Sequence, residues 1–138
     1  MFSVLPITGL PEIFAGDDLG ALLAARLAEG KPGLQSGDIL VVTQKIVSKA
    51  EGRSVDLADM LPSSEAQVLA SEVNKDPALV ELVLRESSAV VRKAPNILIT
   101  RHRLGHVMAN AGIDASNIGN GNDVNVLLLP LNPDASAA

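Results

Sequence analysis

The alternation of apolar and polar positions divides the chain into short strands and helices with clear punctuation. Phe2 to Thr8 reads as a first strand, ended by Gly9-Leu10-Pro11. Asp17 or Asp18 caps a predicted helix over Leu19 to Glu29, with Leu19, Leu22, Leu23 and Leu27 as its apolar stripe. Gly30-Lys31-Pro32-Gly33 breaks that helix, and Ser36-Gly37-Asp38 turns the chain into a second strand, Asp38 to Val42. Arg53 to Leu61 reads as a short strand and turn. Ser63 or Ser64 caps a helix from Glu65 to Val73, and Asp76-Pro77 opens another that runs to Glu86. Ala89 to Val91, Ile97 to Ile99 and Val107 to Met108 read as strands, the last two as a hairpin around Leu104-Gly105. Val124 to Leu129 is apolar enough for a strand buried on both faces.

These elements predict an α+β fold, a mixed β-sheet with helices packed on it, over residues 1–138 as one unit. The last residues carry a further expectation. Asp134 followed by Ala-Ser-Ala-Ala is how a helix begins, with Asp134 as cap, and one turn has no stability alone. The chain is therefore expected to be a piece of something longer.

Composition removes several function classes. The chain has two Phe, no Trp and no Tyr, so it lacks platforms on which bases stack. Its net charge of −5 disfavours a phosphate-backbone binder, and no nucleic-acid partner is expected. With no cysteine there is no disulfide, thiolate metal site or cysteine nucleophile, which fits a reducing cytoplasm. No apolar run approaches the roughly 20 residues needed to span a bilayer, and the amino terminus lacks the pattern of a signal peptide. A cytoplasmic protein with no membrane association is expected.

Two segments carry candidate chemistry. In Val41-Val42-Thr43-Gln44-Lys45-Ile46-Val47-Ser48-Lys49-Ala50-Glu51-Gly52, a strand passes directly into polar and cationic residues. Strand ends of this kind are where α/β proteins place ligands. Lys45 and Lys49 share a face if the segment turns helical, and like charges there repel by about a few tenths of a kcal/mol unless an anion lies between them. The pair points to a phosphate chain, although solvated surface lysines fit the same spacing. There is no Walker A loop. In Ala109-Asn110-Ala111-Gly112-Ile113-Asp114-Ala115-Ser116-Asn117, the small residues around Gly112 admit a ligand close to the backbone. Asp114 supplies a carboxylate suited to Mg²⁺ or Mn²⁺, with Asn117 in reach of a phosphate or base; an Asx-turn or cap accounts for Asp114 equally. His102 and His106, flanked by Arg101 and Arg103, fit a turn or surface role better than zinc.

These residues resemble a known family. Gly9-Leu10-Pro11-Glu12-Ile13, Gly16-Asp17-Asp18-Leu19 and the block from Val41 to Gly52 are similar to the coenzyme F-420-0:L-glutamate (γ-glutamyl) ligases. So are Leu84-Arg85-Glu86-Ser87, Ala109 to Asn117, Leu127-Leu128-Leu129-Pro130 and Pro133-Asp134-Ala135-Ser136-Ala137. The resemblance implies GTP-dependent ligation of L-glutamate to a deazaflavin coenzyme through an acyl phosphate. It also implies a divalent metal, Mg²⁺ or Mn²⁺, help from a monovalent cation such as K⁺, and an intertwined homodimer. By motif, Leu10, Pro11, Glu12, Ile13, Gln44, Lys45, Lys49 and Asn117 would contact GTP, and Asp114 would bind the metal. Members of the family continue past the Pro-Asp-Ala-Ser-Ala segment, where their further acidic metal ligands lie, and the loop from Gly119 to Asn125 is a little longer here. The resemblance therefore implies half of a GTP and metal site. A non-catalytic module for nucleotide binding or dimerisation, or a subunit completed by a separate carboxyl-terminal chain, stays open beside it.

Overall fold

The computed structural model describes residues 3–30, 33–115 and 125–138. The chain forms two compact units, the first from residues 1–53 and 130–138 and the second from 54–129.

In the first unit, Asp18 caps helix α1 (Leu19–Glu29) by accepting from Ala21 N. The predicted stripe is its inner face, with Leu23 buried and Leu19, Leu22 and Leu27 half-buried. The predicted strand Asp38–Val42 is not found. Residues 38–43 take no regular secondary structure and lead into helix α2 (Gln44–Ala50), capped by Thr43. Nor do residues 3–8 pair with anything as a strand among the described residues. Both segments have strand-type sequence, but a strand is stabilised by its neighbour, and neither finds one among the described residues. Val4, Leu5, Ile39 and Val41 stay exposed as a result. The carboxyl-terminal helix α5 (Pro133–Ala137) is one turn, as expected, but its cap is Asn132, whose side chain accepts from Ala135 N. Asp134 lies inside the first turn, because Pro133 takes the first helical position.

The second unit holds the main core. Strand β1 (Ser54–Asp56) leads through a single 3₁₀ turn to helices α3 (Ser64–Val73) and α4 (Pro77–Arg85), capped by Ser63 and Asp76. Strands β2 (Ser87–Ala94), β3 (Ile97–His102) and β4 (Val107–Ala109) form an antiparallel sheet in that order. Strand β5 (Asn125–Leu127) pairs antiparallel with β1, Val55 facing Val126. The fold is therefore α+β, and both sheets are antiparallel. Alternation on β3 turns Leu98, Thr100 and His102 inward, as a period of two requires. Leu98 joins Leu69, Val73, Val80, Val83, Val126 and Leu128 in one apolar cluster.

Two buried ionisable groups sit at the edge of this core. Glu81 accepts from the Ser63 hydroxyl at 2.6 Å, the Ser63 amide at 3.0 Å and Arg85 Nε at 2.8 Å. These donors, the Ser63 hydroxyl foremost, hold its carboxyl down to about 2 from 4.5. His102, assigned to a turn or the surface, is wholly buried. Its Nδ1 accepts from Leu104 N at 3.0 Å, which fixes the turn, while Nε2 lies 3.4 Å from Glu86 Oε2. Burial pushes its pKa below 6.5, with Arg103 and His106 adding to the effect and Glu86 opposing it.

Unfolding releases both groups to their ordinary values, so in acid the unfolded chain binds more protons than the folded one. Stability should be full above about 6.5, fall as pH drops below that value through His102, and fall again between 4.5 and about 2 through Glu81. Urea unfolding across this range checks the profile. Glu81→Gln should flatten its lower limb, and a lower limb unchanged in that variant would contradict the assignment.

Candidate functional site

The sequence-assigned residues divide between the two units. In the first, Leu10 to Ile13 form a segment without regular secondary structure in which Ile13 is buried, Leu10 half-buried, and Pro11 and Glu12 exposed. Ile13 thus anchors the segment and leaves its backbone, not its side chain, as the part within a ligand's reach. Helix α2 puts Lys45 and Lys49 on one face, four residues apart. Gln44 opens the helix, half-buried, directly after the Thr43 cap.

One contact joins the two segments. Lys49 Nζ donates to Glu12 Oε1 at 2.5 Å, across 37 residues of sequence. A second tie runs from Gly16 N to Ala50 O at 2.8 Å. The segment that contains Glu12 is therefore held against the lysine helix. An ammonium carries three donors, so the Glu12 contact leaves others for an arriving anion.

Two further residues of this unit make contacts that no local pattern in the sequence marks. The Arg26 guanidinium stacks beside Gly9, where an added Cβ would lie 3.5 Å from its Cζ, while pairing with Glu29 at 2.8 Å. Glu51, part of the lysine block, binds the 130–138 segment through both carboxylate oxygens. A groove of about 500 Å³ in the same unit is lined by Ile7, Thr8, Arg26, Leu34 and Leu40 among others. None of Leu10 to Ile13, Gln44, Lys45 or Lys49 lines it.

In the second unit, the Asn110 to Asp114 block is a strained turn. Asn110, Ala111 and Gly112 take φ of 49°, 53° and 70°, three left-handed residues in succession. The two that are not glycine cost about 1–2 kcal/mol each. Such strain collects at binding sites, where the surrounding fold holds it in place. Gly112 does not open the backbone to a ligand, as its small size suggested. A Cβ there would lie 2.5 Å from Met108 Sδ and 3.0 Å from Leu129 Cδ1, so the protein's own side chains fill that space. After the turn, Asp114 exchanges both backbone hydrogen bonds with Leu127, at 2.9 Å each, and its side chain is half-buried. It caps no helix. Asn117 lies outside the described residues, as does most of the Gly119 to Asn125 loop.

A rigidly held, half-buried carboxylate fits one position in the shell of Mg²⁺ or Mn²⁺, whose other ligands are commonly phosphates and waters. Among the described residues, no three His, Asp or Glu side chains gather into a metal-binding group. Titrating the chain with Mg²⁺ or Mn²⁺ in the absence of nucleotide should therefore give very weak heat or none. Tight stoichiometric uptake would reveal ligands additional to Asp114.

Comparison with known proteins decides the relationship. The sequence profile of the F420-0:Gamma-glutamyl ligase family matches residues 8–138. The chain belongs to this family. Among its relatives, the coenzyme F420:L-glutamate ligase of Methanothermobacter thermautotrophicus is 43% identical over 135 residues, covering 98% of this chain and 52% of that protein. The enzymes of the same name from Halorubrum lacusprofundi and Archaeoglobus fulgidus are each 42% identical, over 96% and 97% of this chain and 51% and 50% of their own lengths. The chain thus spans about half the length of the curated relatives it matches. No helix among the described residues is long and apolar enough to cross a membrane.

Proposed function

We propose that this chain contributes to the ligation of L-glutamate to F-420-0, and that it supplies half of a GTP and metal site. The observation that carries the reading is the Lys49–Glu12 contact, which joins the two segments assigned to GTP. The names of the relatives supply the reaction, glutamate ligation, as an attribute of those proteins.

In this reading a carboxylate oxygen of F-420-0 attacks the γ-phosphorus of GTP, and the bond to the β-phosphate oxygen breaks to leave GDP. The glutamate amine then attacks the acyl carbon, loses a proton, and expels inorganic phosphate as the amide forms. The residues of this chain act on the nucleotide. Lys45 and Lys49 donate to phosphate oxygens, each charge-assisted contact worth about 1.5–3 kcal/mol. Gln44 adds a neutral donor, the backbone of Leu10 to Ile13 lines the nucleotide, and Asn117 makes a further contact. Glu12 keeps Lys49 beside the 10–13 segment before the nucleotide arrives. Asp114 holds a divalent ion, which when bound neutralises phosphate charge as it develops; a monovalent cation such as K⁺ assists. The assembly is a cytoplasmic homodimer.

One carboxylate does not hold the ions that this chemistry needs, so the chain alone should not turn over. A coupled phosphate-release assay with GTP, L-glutamate and F-420-0 tests this. No phosphate above background is expected from the isolated chain, and measurable turnover would mean that the residues present form a complete active site.

A further inference from the structure

Glu51 links two parts of the first unit that lie far apart in sequence. Leu131 N donates to Glu51 Oε2 at 2.9 Å, and the Ser136 hydroxyl donates to Glu51 Oε1. The donors are 80 and 85 residues away. Ser136 belongs to α5, whose start is fixed separately by the Asn132 cap, and Ser136 N donates to Asn132 O at 3.0 Å. Glu51 therefore grips a segment that is already shaped.

At its other end Glu51 terminates α2. It is the residue at the carboxyl cap, and its N–H donates back to Val47 O and Lys49 O. A helix of seven residues has no stability alone, so its ends must be held from outside. Glu12 and Gly16 hold it from the side of the 10–16 segment, through Lys49 and Ala50. Glu51 holds it from the 130–138 segment, through donors shared with neither. Losing the Glu51 side chain would remove the tie to the 130–138 segment and leave the last turn of α2, where Lys49 sits, held by the Glu12 contact, the Gly16–Ala50 bond and the backbone bonds that Gly52 and Arg53 donate to Lys49 O and Ser48 O.

From this geometry we infer that Glu51 is a positioning residue for nucleotide binding: it clamps the 130–138 segment to α2 and thereby fixes Lys49. The inference rests on the GTP reading given above. It assigns Glu51 no contact with the nucleotide; Glu51 acts through Lys49.

The test pairs amide hydrogen exchange with GTP calorimetry on the whole chain and its Glu51→Ala, Glu51→Gln and Ser136→Ala variants. In Glu51→Ala, exchange at Leu131 and across Gln44–Ala50 should rise about tenfold, the signature of local opening, while α3 and α4 keep their protection. GTP affinity should fall about five- to tenfold. Glu51→Gln keeps one carbonyl acceptor and Ser136→Ala keeps the Leu131 contact, so both should lie in between. A merely structural residue would cost the same whether or not Lys49 is present. In a Lys49→Ala background, Glu51→Ala should instead cost little more than Lys49→Ala alone. Unchanged exchange across α2, or an affinity loss that persists in full without Lys49, would overturn the inference. If the unsubstituted chain binds no GTP, the nucleotide reading fails and the positioning role with it. The exchange data would still report whether the clamp holds α2, so the two failures are distinguishable.

Discussion

Gly112→Ala should destabilise the second unit by about 2–4 kcal/mol. Two costs add. A residue with a Cβ pays about 1–2 kcal/mol for left-handed backbone, and the φ of 70° lies squarely in that region. The new methyl would also press on Met108 Sδ and Leu129 Cδ1, and overpacking of this kind costs about 1–3 kcal/mol. Met108 can yield more readily than the branched Leu129, which keeps the sum below the simple maximum. Gly105→Ala makes the control, because Gly105 also has positive φ but nothing lies within 4 Å of its added Cβ. It should pay only the backbone cost. Denaturant unfolding of both variants checks this, and equal losses at the two positions would refute the packing argument. The variant also bears on the site, since Asp114 follows the turn by two residues and its backbone is registered against Leu127.

Lys49→Ala should weaken GTP binding by roughly ten- to a hundredfold, equivalent to about 1.5–3 kcal/mol for a charge-assisted contact. The prediction draws on three features. Lys49 lies on the same face of α2 as Lys45, its ammonium reaches the Glu12 segment, and about a third of its side chain is exposed to an incoming ligand. Glu12→Gln separates two roles. If Glu12 chiefly orients the ammonium, the variant should bind somewhat more weakly; if its charge competes with phosphate, removing that charge should tighten binding. The orienting role is expected, because Glu12 occupies one of three donors. Calorimetry with GTP gives both values, and an affinity indifferent to Lys49→Ala would remove the lysine from the site.

Local signals in the sequence were read well because they act within one turn. Asp18, Ser63 and Asp76 each accept from an amide two or three residues ahead, so a cap can be recognised without knowing the fold. The β3–β4 hairpin closes on Gly105 for the same reason. Pairing over distance was not legible. Residues 3–8 and 38–42 have the composition of strands, but composition cannot supply a partner, and they remain exposed. Asp134 has the side chain of a cap, but Pro133 marks Asn132 as the residue before the first helical position, a signal present in the sequence.

The candidate site divides in the same way. The spacing of Lys45 and Lys49 carried enough information to place them on one helical face. The Glu12 and Glu51 contacts, made across 37 and at least 80 residues, had no local trace. Gly112 was visible as a special position, yet its reason lies in Met108 and Leu129, which only the folded chain brings against it. His102 keeps the turn role that its surroundings suggest, through the Leu104 amide, but the alternation of β3 turns it inward rather than to the surface.

The central claim, that this chain carries part of a GTP site on the 10–13 segment and α2, is tested most directly by amide chemical-shift mapping during a GTP titration of the unsubstituted chain. The account predicts saturable shifts concentrated at Leu10 to Ile13 and Gln44 to Lys49. Shifts confined to the groove lined by Thr8, Arg26 and Leu34, or no saturable shift at all, would contradict it.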